Sequence, residues 1–225
     1  SEMCIRDRYE LMKLKSLFIA ILLLSGINGI MSCSGSQENE AFDTAESLME
    51  THPDSALSIL KGVDKSQLHS KAARARYALL MSMALDKNVI DTTTFDVLQP
   101  AIDHYLKKGS PDEKLRTYYY QGCIFLNKGD KDNALKSFIK GLDEAPQSKD
   151  SLCIARTLVA QGGLYYEFHD LDDYMHNYLE AAKIYREYSY KPQEFNSLLN
   201  ALNGAILLED ESRTDSLLSL FDPES

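Results

Sequence analysis

Histidine, the side chain best suited to gather a metal or relay a proton near neutral pH, occurs five times in this sequence. His169 and His176 stand seven apart, with Asp170, Asp172 and Asp173 between them, and such a set could in principle hold a divalent cation. His169 falls where a turn between two helices is expected, and the aspartates read as solvated helix caps, so no metal site and no cofactor is expected. The chain carries no phosphate-cradling glycine loop, no H-E-x-x-H, no C-x-x-C and no G-x-S-x-G. The runs Tyr118-Tyr119-Tyr120 and Tyr165-Tyr166 could stack a ligand. On a helix, however, such runs send some rings to the core and leave others lining a groove. Nothing here reads as an enzyme.

The elements that position these residues are helical. The 225 residues include 11 glycines, 6 prolines, 13 tyrosines and no tryptophan, which suits helices better than turn-rich sheets. The formal net charge of −10 sets the chain against a phosphate backbone, and no nucleic-acid partner is expected. From Ala41 onward apolar residues recur at helical spacing almost throughout, giving about ten helices in five antiparallel pairs. In the first pair Ala45, Leu48 and Met49 share a face, and Pro53 restarts a helix carrying Ala56, Leu57, Ile59 and Leu60. In the second, Arg74–Leu85 precedes Leu98, Ala101, Ile102 and Tyr105, with Thr92–Thr94 as candidate caps. Ser110-Pro111-Asp112-Glu113 has the spacing of a capping box. No break rich in Pro, Gly or charge divides 41–225, which reads as one domain.

Two of the pairs carry a specific pattern. Tyr118-x₂-Gln121-Gly122-x₂-Phe125 is followed by Gly129-Asp130 in a turn, by Ala134-x₃-Phe138, and by Pro146. The next unit repeats it as Leu158-x₂-Gln161-Gly162-x₂-Tyr165, then Asp170, then Tyr178 with Ala181. This resembles the tetratricopeptide repeat, in which small residues let two helices approach and aromatic residues fill the space around the contact. Gln121 stands in place of Leu, and Tyr174 occupies a position usually held by Ala, which puts tight packing there in doubt. A third, weaker copy is Asn203-Gly204-x₂-Leu207 with Ser216-x₃-Leu220. The glycines at 122, 162 and 204 are spaced more widely than the standard repeat of about 34 residues. The resemblance implies an all-α fold, a right-handed superhelix of antiparallel helix pairs. One pair cannot bury its own apolar stripe, so pairs must stack and share a core.

The N-terminus reads as an address. Lys13 and Lys15 precede the apolar run from Leu17 to Met31, which is short for a bilayer span but suits a signal peptide. Ile30-Met31-Ser32-Cys33 resembles the lipobox of bacterial lipoproteins. That likeness implies acylation (palmitate among the chains) at Cys33, a signal peptide over 12–32 and a polar tether over 33–40. It also implies a place in the cell envelope, at the periplasmic or surface face of the outer membrane. Ser1 to Arg8 resembles translated adapter read-through, so 1–11 reads as a non-native leader. Cys123 and Cys153 read as buried thiols.

What the repeat resemblance implies is binding of a protein or peptide on the concave face, lined by the first helix of each pair. Carried onto the matching positions, the groove residues are Arg116, Tyr119, Cys123, Asn127, Arg156, Val159, Gly163, Tyr166 and Glu167. Arg116 and Arg156 stand out, because a guanidinium pairs a carboxylate through two bonds. The expected function is therefore a membrane-tethered scaffold or adaptor. The alternative is the extracytoplasmic sensor of a longer transmembrane regulator with a DNA-binding or kinase module. A polysaccharide-active enzyme of helical hairpins would need a placed carboxylate pair, and none is evident.

Overall fold

Most of the helices in this chain begin where a side chain takes over the free amides of the first turn. The computed structural model describes residues 33–221, with side chains from residue 39 onward. Among these residues are ten α-helices: α1 (Cys33–Leu48), α2 (Pro53–Lys61), α3 (Lys71–Lys87), α4 (Gln99–Lys108), α5 (Pro111–Asn127), α6 (Lys131–Leu142), α7 (Ser151–Glu167), α8 (Leu171–Glu187), α9 (Lys191–Leu207) and α10 (Glu211–Ser219). Ser70, Asp130, Asp150, Asp170 and Asp210 accept a backbone N–H at the heads of α3, α6, α7, α8 and α10. Ser110 and Glu113 close a reciprocal capping box on α5. Thr92–Thr94 do not cap α4; its first turn is headed by Leu98 without a side-chain bond. Pro146 lies beyond the end of α6, in a 3₁₀ turn over Ala145–Gln147.

Consecutive helices pack on one another, and α1, α3, α5 and α7 also touch in series. The result is an all-α stack of antiparallel pairs, with α1, α3, α5 and α7 side by side along one face. The expected leader and signal peptide lie outside the described residues. Residues 33–40, expected as a tether, are the first turns of α1. No helix among the described residues is long and apolar enough to cross a membrane.

The contacts inside each pair follow from residue size. A Cβ added to Gly122 on α5 would run into the ring of Phe138 on α6. One added to Gly162 on α7 would lie 2.9 Å from the Tyr178 ring on α8. Ala134, Phe138 and Ala181 have no exposed surface. Tyr118 lies against Gly141, whose added Cβ would sit 3.3 Å from the Tyr118 Cβ. Phe125 meets Phe95 edge-on at 5.0 Å.

The third copy of the pattern is a different contact. An added Cβ at Gly204 on α9 would meet Met175 and Tyr174, each at 3.1 Å. Both belong to α8, the preceding helix, and not to α10. Tyr174 is thereby accommodated despite its size: the ring is buried, it uses the gap at Gly204, and its hydroxyl is 3.0 Å from Asn200 Oδ1. With α9 turned toward α8, α10 buries Leu217 but leaves Leu218 and Leu220 exposed.

Gly129 takes φ 77 in the turn after α5, and His169 takes φ 63 at the matching turn after α7. That left-handed turn is the role His169 serves, and both His169 and His176 are exposed.

The glycine contacts rank three substitutions. Gly122→Ala forces the Phe138 ring to move and should cost about 1–3 kcal/mol of stability. Gly162→Ala should cost less, because only the edge of the Tyr178 ring must give. Gly163→Ala, with nothing nearer than the Tyr178 hydroxyl at 4.0 Å, should stabilise by about 0.5–1 kcal/mol through helix propensity. Urea denaturation followed by circular dichroism at 222 nm checks the order, and a Gly122→Ala protein as stable as the wild type would contradict this packing.

Candidate functional site

The second turn of helix α5 carries Leu115-Arg116-Thr117, and α7 repeats the same Arg-Thr step as Arg156-Thr157, forty residues on. The two threonines have no exposed surface. Their hydroxyls donate to the carbonyls of Glu113 and Cys153, one turn back. A buried hydroxyl satisfied in this way fixes which side of each helix faces in, and so projects the neighbouring arginine toward the odd-helix face.

Both guanidinium groups are engaged there by the chain's own carboxylates. Arg116 donates from Nε to Asp150 Oδ2 at 2.5 Å and from Nη1 to Glu46 Oε1 at 3.0 Å. Arg156 donates from Nη2 to Glu50 Oε2 at 2.7 Å, and Lys87 Nζ reaches the same oxygen at 2.7 Å. Arg76 reaches Asp43 at 2.6 Å and Glu46 at 3.1 Å. The carboxylates of one segment, Asp43 to Glu50, are thus spread over cations from α3, α5 and α7. The Glu50–Arg156 pair joins residues 106 apart in sequence. Burial opposes the charge of Arg116 and Arg156, but the facing carboxylates outweigh it and raise both pKa values. Burial likewise pushes against ionisation of Glu50. The Lys87 and Arg156 partners override it and hold the carboxyl below its ordinary 4.5.

The remaining groove candidates lie on the same two helices. Tyr119 is half-buried, 4.9 Å from the Tyr120 ring and 6.1 Å from Phe138, so it is as much core as surface. Asn127 is exposed and donates to the Thr92 carbonyl at 3.1 Å. Glu167 is exposed and paired with Lys131. Tyr166 is 46% exposed. Its ring lies 5.1 Å from that of Tyr174, which lies 5.1 Å from that of Tyr178. Asn200 and Asn203 on α9 reach the Tyr174 hydroxyl. Beside this cluster Gly163 leaves open space. Three rings and two amides therefore gather at the α7–α9 corner. The sequence pattern gave Tyr166 and Gly163 as groove residues, Tyr178 as packing and Tyr174 as a departure from the repeat, and did not join them to Asn200 and Asn203.

Cys123 and Cys153 are free thiols. Burial first, and then Asp150, push the Cys153 thiol up to about 12, which makes it inert at neutral pH. No group of three His, Cys, Asp or Glu side chains comes together as a metal site among the described residues.

Comparison with known proteins adds the fold. No family model matches the chain, and no curated protein matches it. Among solved structures, the apo form of RapI superposes with a TM-score of 0.61 at 16% identity, over 80% of this chain and 52% of that one. The likeness is one of architecture, a stack of helical repeats. The chain spans about half the length of that protein.

The charge clasp has a pH signature. Because the folded pKa of Glu50 lies below its unfolded value, its contribution is full above about pH 4.5 and is lost as pH falls through the folded value. Glu50→Gln should flatten the loss of stability in that acid window and cost roughly 1 kcal/mol at pH 7, with solvent screening included. Parallel melting curves of the variant and wild type from pH 7 to pH 3 would show the clasp to be unimportant.

Proposed function

We propose that this chain is a membrane-anchored scaffold that holds a protein or peptide partner on the odd-helix face of its stack, and that it is not an enzyme. One observation carries this reading: the exposed ring of Tyr166 packs on buried Tyr174, whose hydroxyl holds Asn200 and Asn203, beside the open space at Gly163. Tyrosine offers a rigid apolar ring with a polar tip, and an amide can both donate to and accept from a peptide backbone. The clasp through Arg76, Lys87, Arg116 and Arg156 holds the four odd helices α1, α3, α5 and α7 in a fixed relation, so the surface is preorganised for its partner. Arg116 and Arg156 then act chiefly as braces, and Tyr119, Asn127 and Glu167 flank the contact.

The membrane part of the reading rests on the apolar run Leu17–Met31 ahead of Ser32-Cys33. Acyl chains on Cys33 would hold α1, and the stack behind it, on the outer membrane.

A second reading is the sensor part of a longer regulator. It is favoured by Phe195, Leu199, Ile206, Leu218 and Leu220, all exposed at the α9–α10 end, which a further module would cover. A stop codon directly after Ser225 in the genomic frame would remove it.

A Cβ at Gly163 meets nothing nearer than the Tyr178 hydroxyl at 4.0 Å, so Gly163→Gln should leave the fold standing while its side chain occupies the space beside the tyrosines. Membrane pull-downs with this variant should recover roughly tenfold less partner than wild type. Equal recovery of every partner would rule out this corner. Cys33→Ala should move the protein out of the membrane fraction and abolish incorporation of labelled palmitate.

A further inference from the structure

On the side of the molecule away from the clasp, a cleft of about 510 Å³ runs between α2 and α4 with α3 as its floor. Volumes of this order are those of small-ligand sites. The floor is apolar: Leu68, Tyr77, Ala78, Met81 and Leu85, joined at one end by Val97 and Pro100. At the other end stand Lys61, Lys65 and Arg74. None of these three cations has a carboxylate partner among the described residues, although the chain as a whole is strongly acidic. The Lys65 ammonium lies 5.4 Å from the centre of the Tyr77 ring. Arg74 gives one nitrogen to the carbonyls of Leu68 and His69. The acid on the lining, Asp96, lies at the opposite end beside Val97.

We propose that this cleft binds an aliphatic carboxylate, a single acyl chain with its charged end at Lys61, Lys65 and Arg74. From Arg74 to Leu85 the floor helix rises about 16 Å, which suits a saturated chain of roughly twelve carbons. A peptide would have to bring its backbone amides over Ala78, Met81 and Leu85, which offer no side-chain donor or acceptor. A sugar or nucleotide meets the same obstacle. An acyl chain has no such groups, and its one polar end falls where the unpaired cations are. The site is separate from the tyrosine–asparagine corner, and the two proposals stand or fall independently.

The test uses the full 225-residue chain, titrated with dodecanoate, with dodecanol, and with a tetraleucine peptide, each below its aggregation limit. Dodecanoate should bind saturably at one site and at least roughly tenfold more tightly than dodecanol. Lys61→Glu/Lys65→Glu changes two exposed side chains, should melt like the wild type, and should erase that preference. Any of three results overturns the proposal: no saturable dodecanoate binding; equal affinity for dodecanol; or a preference that survives the double substitution. Tighter binding of tetraleucine than of dodecanoate would also overturn it, and would assign the cleft to a peptide carboxylate instead.

Discussion

Two helices can approach closely only where one of them lacks a side chain, and the architecture of this chain depends on that condition being met at Gly122 and Gly162. At each site the partner helix fills the vacated volume with a ring, Phe138 in one pair and Tyr178 in the next. Dispersion over such a contact is favourable because the ring touches backbone and side chain together, leaving no void. The same condition explains the exception. Gly204 carries the same residue type but turns toward Tyr174 and Met175 of the preceding helix. A large residue on α8 thereby takes the space that a second pair partner would have used, and α9 and α10 form a looser end to the stack.

Series contact is the second consequence. α1, α3, α5 and α7 touch in turn, and the carboxylates from Asp43 on α1 to Glu50 in the turn after it meet cations from three helices. Isolated surface ion pairs contribute little. These share carboxylates, are partly shielded from water, and connect elements up to 106 residues apart. They act less as a source of stability than as a limit on how far the stack can open.

Much of this was legible in the sequence because its causes are local. The helix faces of Ala45 and Met49, of Ala56, Leu57 and Leu60, and of Leu98, Ala101 and Tyr105 follow from spacing alone, and all are buried. The caps at Asp130, Asp170 and Ser110 follow from one side chain reaching its own first turn. What sequence could not disclose was pairing at long range. Arg116 and Arg156 stood out as cations on a groove face, but their partners Glu46 and Glu50 lie 70 and 106 residues away. No spacing rule connects them. The one available hint was the repeated Arg-Thr step, whose threonines must be buried for the arginines to point as they do. Asn203 stood out only as the neighbour of Gly204 in the weak third copy, and Asn200 not at all, because Gly204 meets the preceding helix where the pattern places it against the following one.

The distribution of charge ties the two faces of the molecule together. A chain with an excess of acid has carboxylates to spare, and on the odd-helix face nearly every cation is matched by one. At the cleft over α3 the balance is reversed: three cations gather around apolar side chains, and the carboxylate on the lining is held at the far end. Leaving cations unpaired there forgoes local attraction that the surrounding surface could readily supply. Such an arrangement is consistent with a site kept ready for an anion from outside the chain, whereas the internally matched face is consistent with one kept rigid. One stack of helices thus presents a braced surface suited to a partner's polar backbone and a separate apolar slot suited to a charged tail.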